Sequence, residues 1–384
     1  MKLLRKSDQA LEQNITQPLI PRSETRHAWA RCARYLCGRV ITVGLTVLVG
    51  VYVAIWVSNI GGYADAQRRH DVRSETTYRL FMQMGTHLVS LPADEKHAVI
   101  EGYVTEAFKA ADLDQPFIVR SFRYFRDAFS FNLGESTRKS RAGSHNVLDI
   151  LLDRMPRTLS IFAAANLITF LLALLSASFL SRRYGSFIDR IAAVLVPLFA
   201  APPWFHGIFL IVLFAAVLKV LPFGGYVDVP LPTTSIGYAL SYLKHMILPV
   251  MACVLGTLPM ALYTNRSLFL IHSAEDYVEL AKAKGLREAR LQSRYILRPV
   301  LPTIITSFVL ITMISWQGII LTEHVFAWPG IGELLVEAIS GIEVNIVIGL
   351  VTLFAYLLGI SVFALDLVYV SVDPRVTLGK RGGR

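Results

Sequence analysis

Apolar runs of 20 residues or more recur along this 384-residue chain, and they leave it few architectures. Residues 40–60 form the first, 21 positions without a charge. At 1.5 Å per residue that is about 31 Å of helix, one hydrocarbon thickness. Runs at 158–181, within 191–221, and at 246–271, 301–322 and 346–370 follow. Lipid offers no partner for a backbone N–H or C=O, so helices are the economical way across. Alternating ten-residue strands, as in a membrane barrel, do not occur. The expected fold is therefore an all-α polytopic membrane protein with six transmembrane helices. The third run is too long for one straight span. Its Pro197, Pro202 and Pro203 predict a kink or a restart. The fourth holds Pro249, Pro259 and Arg266. An arginine at a bilayer centre costs about 2.5–3.5 kcal/mol, so Arg266 is expected at the interface.

Composition agrees with a membrane chain. Charged residues make up 17% of it, against about 25% in soluble domains. The net charge of +10 would suggest nucleic acid in a soluble protein. Here the basic residues cluster in short segments between apolar runs, so membrane topology explains them and no nucleic-acid partner is expected. The tail 1–39, the loop after 181, the segment 272–300 and the tail 371–384 are all basic. Loop 323–345 has four glutamates and no Lys or Arg. Six spans with both termini cytoplasmic satisfy this asymmetry in an inner or plasma membrane, and residues 61–157 then lie outside. Helical spacing in "ETTYRLFMQMGTHLVSL" and "FIVRSFRYFRDAFSF", punctuated by Pro92 and Pro116, predicts a helical extracytoplasmic insertion between spans one and two. Residues 158–370 form the core bundle. Residues 1–39 are too long and too polar for the start of a signal peptide, so no cleavable signal is expected. Cys32, Cys37 and Cys253 lack the spacing of a metal site or a disulfide framework and are expected as reduced thiols.

One charged, helix-favouring stretch stands apart: "DYVELAKAKGLREARLQSRYILRP", 276–299. Ser273 gives a capping-box-like start with Asp276 in the first turn. Gly285 suits a helix C-terminus, where φ > 0 is easiest for glycine. A second helix begins at "LREARLQSRYIL", which Pro299 and Pro302 are expected to break or redirect. On a helical wheel Tyr277, Leu280 and Ala281 share one arc, with Glu279 and Lys282 opposite. The physics alone leaves three readings open: a solvated loop, a membrane-surface helix, or a short helix that docks in a protein cleft.

These residues carry a resemblance. "ELAKAKG" resembles the E-A-A-x-x-x-G loop of ABC importer permeases, with Glu279, Ala281 and Gly285 in matching positions and Leu280 in place of the first alanine. "EDYVELAKAKGL" is similar to the oligopeptide/dipeptide/nickel type. The family's closing I-x-L-P is looser here, with Arg298 after Leu297 and Leu301-Pro302 slightly later. Other segments resemble the family in order: "DQPFIVRSFRYFRDAFSFNLGES", "APPWFHGIFLIVLFAAVLKVLPFGGY", "HMILPV", "EHVFAWPGIGELLVEAI" and "DLVYVSVDPRV". Together they cover roughly 40–376.

The resemblance implies a type I importer permease fold and a pathway-forming, non-catalytic subunit, serving di- or oligopeptides on base rate. It implies a second homologous permease, two ATPase subunits and an extracytoplasmic solute-binding protein, all around membrane lipid. The chain has no G-x-x-x-x-G-K-[ST] loop, so ATP and its Mg ion would sit on the ATPases and this chain would hold no cofactor. Tyr277, Glu279, Leu280, Ala281 and Gly285 would be the ATPase-coupling residues. Ala281 would allow close packing, Glu279 would meet a basic partner or helix end, and Gly285 would aim the helix. Pro329, Gly330 and Gly332 would shape a re-entrant or interfacial helix near an external gate. Asn166, His206 and Gln317 are candidates for lining the pathway, against the commoner role of bonding a neighbouring helix. Asp366 is expected to pair at the bundle or interface.

Alternatives keep the importer but change its cargo to nickel chelates or oligosaccharides, or make the chain a secondary transporter or channel. A secondary transporter needs ionisable groups for ion coupling, and the spans hold few. A membrane-embedded enzyme is disfavoured: no H-E-x-x-H or G-x-S-x-G occurs, no span carries a catalytic acid pair, and no metal site is evident.

Overall fold

The computed structural model describes residues 22–372 except 60, 61, 137, 200 and 342, with backbone alone at positions that include 22–36, 317 and 365–372. Among the described residues the chain is helical, with one isolated bridge, Glu135 to Asn146, and no strand. Five helices are long and apolar enough to cross a membrane. They lie at Cys37–Val57 in α1 (Arg22–Asn59), Val147–Ser181 (α5), Ser235–Ser273 (α8), Glu288–Thr312, which leads into α11 (Arg298–Val325), and Val344–Ala364 in α13 (Val344–Val372). The polar stretch before residue 40 is thus helical from Arg22 onward, while 1–21 and 373–384 lie outside the described residues.

The third apolar run restarts, as its prolines predict. It forms α6 (Phe187–Leu198), then α7 (Pro203–Leu210), which continues as a π-helical turn (Ile211–Val217). Pro202 occupies the N-cap of α7 and Pro203 its first turn, where a missing N–H costs nothing. Neither piece has the length of a full crossing. Where six spans were expected, the described residues hold five long apolar helices and this shorter broken pair.

Between α1 and α5 lie α2 (Tyr63–Ser90), α3 (Ala93–Ala110) and α4 (Phe117–Phe129). α2 and α3 pack on each other, and Pro92 and Pro116 stand at the N-caps of α3 and α4. Arg120 on α4 is buried and donates through Nη1 to Asp65 Oδ1 on α2 at 2.8 Å, and through Nε to the Gln115 carbonyl at 2.9 Å. α5 starts at Val147, eleven residues before the apolar run, because Asn146 caps it by accepting the Leu148 N–H at 2.9 Å.

Three apolar clusters hold the bundle. The central one joins α5 (Ile161, Phe162), α8 (Leu248, Ala252) and α11 (Ile319) to Phe326 and Trp328 beyond it. A second joins α1 (Val51, Ile55), α5 (Ile150, Leu151) and α13 (Ile346, Leu350) to α12 (Ile331–Ser340). The third lies at the far end of α11 under the charged segment. Outward faces stay apolar, with Ile41, Leu45, Val49, Val53 and Val57 of α1 exposed. Such a surface suits lipid, not water.

Candidate functional site

The charged segment folds into α9 (Asp276–Ala283), a tight turn, a short α10 (Glu288–Arg290) and a π-helical turn (Leu291–Leu297) that runs directly into α11. Gly285 has φ +74°. Its N–H donates to Lys282 O at 2.8 Å, and the Leu286 N–H reaches Ala281 O at 3.3 Å. This is a Schellman motif, which needs a left-handed residue at that position. Ser273 does not cap α9: it ends α8, its hydroxyl donates to Leu270 O at 2.8 Å, and Glu275 takes the N-cap without a side-chain bond. Pro299 and Pro302 do not break the second helix, which runs through both after a π-helical turn.

The face that α9 turns inward also differs from the helical-wheel expectation. Tyr277 and Leu280 are exposed (40% and 58%), but Ala281 is 3% exposed and Val278 fully buried. Val278 seats the helix on its own bundle against Ala177, Phe269, Ile296, Val300 and Ile304, and Ala281, three positions on, is buried on the same side. Ala281 thus packs inward, and Asp276, Tyr277, Glu279 and Leu280 face out. Burial and the neighbouring Glu275 carboxylate raise the Tyr277 phenol above its ordinary pKa, so it stays a neutral hydrogen-bond donor.

At the other end of α11 the chain ties a knot. Glu323, fully buried, accepts the Gly332 N–H at 2.6 Å and so holds the first turn of α12. The Ile331 N–H donates to Thr158 Oγ1 at 2.7 Å, Trp328 Nε1 to Arg157 O at 3.1 Å, and Arg157 Nη1 to Pro329 O at 2.9 Å. A Cβ on Gly330 would overlap the Glu323 carboxylate, and one on Gly332 would sit 2.5 Å from Ile320 Cα. Pro329, Gly330 and Gly332 therefore belong to one close-packed turn pinned by α5 and α11. Arg157, Thr158 and Glu323 are absent from the candidates that the sequence suggests. Glu323 heads the "EHVFAWPGIG" motif, which is a usable signal; Arg157 and Thr158 carry no local one.

The remaining candidates do not converge. Asn166 donates through Nδ2 to Phe162 O at 2.8 Å on its own helix and accepts weakly from Thr312 and Ser315 of α11, each at 3.4 Å. It links two helices. His206 is buried and stacked on Phe199, with centroids 5.5 Å apart. Gln317 lies on α11, and its side chain and that of Asp366 fall outside the described residues. Arg266, expected at the interface, is paired: its Nη2 donates to Asp189 Oδ2 at 2.6 Å and its Nε to Oδ1. Cys37 and Cys253 are free thiols. No cluster of three or more His, Cys, Asp or Glu that could hold a metal occurs among the described residues.

Beside the Pro329 turn lies a cavity of about 230 Å³ lined by Lys139, Ser140, Arg141, Asp153, Arg154, Arg157, Tyr226 and Pro329. Of the pathway candidates whose side chains are described, Pro329 alone touches it.

Comparison with known proteins is consistent with this geometry. The sequence profile of the family described as "Binding-protein-dependent transport system inner membrane component" matches residues 169–378. The chain is 32% identical over 288 residues to a di/tripeptide transport system permease protein of Pseudomonas aeruginosa, covering 71% of this chain and 84% of that one. It is 32% identical over 291 residues to a probable D,D-dipeptide transport system permease protein of Escherichia coli, covering 71% and 83%. A dipeptide transport system permease protein of Bacillus subtilis is 28% identical over 271 residues, covering 70% and 82%. The chain belongs to the binding-protein-dependent transport system inner membrane components: it is a multi-pass permease of an ABC importer.

Proposed function

We propose that this permease carries di- or oligopeptides inward, in a pair with a second permease, driven by two ATPase subunits and fed by an extracytoplasmic solute-binding protein. Relatives that serve di- and tripeptide systems support the cargo. The chain itself performs no catalysis and holds no cofactor; ATP and Mg bind the ATPases. Charge asymmetry supports cytoplasmic termini. On that reading α9 is cytoplasmic and the Pro329 turn external, at opposite ends of α11. At 1.5 Å per residue the 28 residues of α11 span about 42 Å.

The observation that carries the mechanism is the two-faced seating of α9. Val278 and Ala281 anchor it to the bundle, while Tyr277, Glu279 and Leu280 stand free for a cleft on an ATPase. Closure of the ATPase pair would push this face, and the buried face would pass the motion to α8 and α11. Gly285 sets the angle. Purification of the tagged chain from its native membrane, followed by peptide uptake in proteoliposomes, tests the reading. Recovery of two ATPases and a second permease, with ATP-dependent dipeptide uptake, is expected. A chain that purifies alone and transports without ATP would overturn it in favour of a secondary transporter. Uptake of nickel chelates or oligosaccharides instead would keep the mechanism and change the cargo.

A further inference from the structure

The cavity beside Pro329 has an unusual charge balance. Four cations line it, Lys139, Arg141, Arg154 and Arg157, against one carboxylate, Asp153. Local pairing leaves the excess in place. Asp153 faces Arg157 at 3.5 Å. Glu337, outside the lining, lies 2.7 Å from Arg138 and 3.8 Å from Arg154. Lys139 and Arg141 have no carboxylate within ion-pair distance among the described residues; Arg141 donates instead to the Tyr226 hydroxyl. Both Arg141 and Arg157 stack on the Tyr226 ring, at 5.1 and 5.2 Å from its centroid. Two guanidinium groups are thus gathered on one aromatic ring, and the Arg157 side chain is 9% exposed. Like charges held together around a cavity, one of them nine-tenths buried, repel unless an anion sits between them.

We propose that this cavity binds a carboxylate, and specifically the C-terminal carboxylate of the peptide cargo as it leaves the binding protein. The inference rests on the peptide-import reading given above. The volume suits one terminal residue, Pro329 gives that residue an apolar edge, and planar guanidinium groups match carboxylate geometry. The position adds a consequence. Arg157 also holds the Pro329 carbonyl and, through its own carbonyl, Trp328. An anion drawn to Arg157 therefore acts on a residue that pins the α11–α12 turn.

The test uses the whole importer in nanodiscs of zwitterionic lipid, with dialanine and dialaninamide as probes. Saturation-transfer difference NMR without the binding protein reads direct contact. Contact with dialanine at least fivefold above dialaninamide is expected, and a Lys139→Gln/Arg141→Gln double variant should lose that preference. Arg157 is left intact because its loss could unfold the turn. In proteoliposomes the same variant should lower kcat for dialanine uptake about tenfold while the KM for loaded binding protein stays unchanged. Equal signals from both probes, or an unaltered variant, would overturn the site while leaving peptide import standing. A raised KM for binding protein with unchanged kcat would overturn it in favour of a docking surface for acidic side chains of that protein. Dependence on added anionic lipid would assign the cations to a headgroup. A wild-type importer that takes up no peptide at all would overturn both the cargo reading and this site.

Discussion

Arg266 on α8 clasps Asp189 on α6 with two guanidinium nitrogens, Nε and Nη2, in a pair whose side chains are 12% and 4% exposed. Asp189 also belongs to the first turn of its helix, where Ser186 accepts the Asp189 N–H at 3.3 Å and Asp189 Oδ2 accepts the Gly185 N–H at 3.0 Å. One carboxylate therefore satisfies a turn and a neighbouring helix. Removing one partner of a buried pair leaves an uncompensated charge and costs about 3–5 kcal/mol. Arg266→Ala should lower the thermal unfolding midpoint in detergent sharply. An Arg266→Met/Asp189→Leu double variant should recover most of the loss. A single variant as stable as wild type would show that the pair holds nothing.

The knot at the end of α11 predicts a size limit. Gly332→Ala forces a methyl onto the Ile320 backbone, which cannot rotate away as a side chain can. Overpacking of this kind costs about 1–3 kcal/mol. Glu323→Ala strands the buried Gly332 N–H at a cost of about 1–3 kcal/mol. Limited proteolysis between 325 and 345 should accelerate in both variants and not in Ile339→Ala, whose side chain is exposed.

At the other end, a Cβ on Gly285 would meet nothing within 4 Å, so the only constraint at that position is the left-handed backbone. An L-residue there costs about 1–2 kcal/mol, least for asparagine. Gly285→Asn should transport nearly normally. Gly285→Val should insert and assemble yet lose most uptake and most stimulation of ATP hydrolysis. Leu280→Asp, on the exposed face, should weaken recovery of the ATPases without changing stability, whereas Val278→Asp should destabilise the chain itself. Equal behaviour of Leu280→Asp and Val278→Asp would contradict the two-faced seating.

Arg120 predicts how the external helices hold together. Its hydrogen bonds to Asp65 raise the guanidinium above its ordinary pKa, so it is charged at any working pH. Arg120→Ala should free α2 from α4, seen as faster hydrogen exchange across 63–90 with exchange in α8 unchanged. Arg120→Lys should restore this only in part, because lysine lacks the planar fork that meets both carboxylate oxygens.

Much of this fold is visible in the bare chain, because lipid makes helix length and charge asymmetry nearly sufficient. The restart at Pro202–Pro203 and the αL turn at Gly285 are local, and local signals expose them. What the sequence hides is which face of a short helix looks inward. On a wheel Tyr277, Leu280 and Ala281 share an arc, yet Ala281 is buried with Val278, which packs on Phe269 and Val300 from neighbouring helices. Arg157 is hidden for a related reason. It lies more than 150 residues from Trp328 and Pro329, the two residues it holds, and no neighbour announces its role. The cavity cations are equally hidden, since Lys139, Arg154 and Tyr226 come from three separate stretches.

α11 begins with Val300 and Ile304, packed beneath α9, and closes with Glu323, which grips α12. Both ends belong to one continuous rod. On the coupling proposed above, a push delivered at the first end would travel along that helix toward the second. A rotation there would then reach the turn beside Arg157 in the same stroke, and the two mouths of this permease would keep a shared clock.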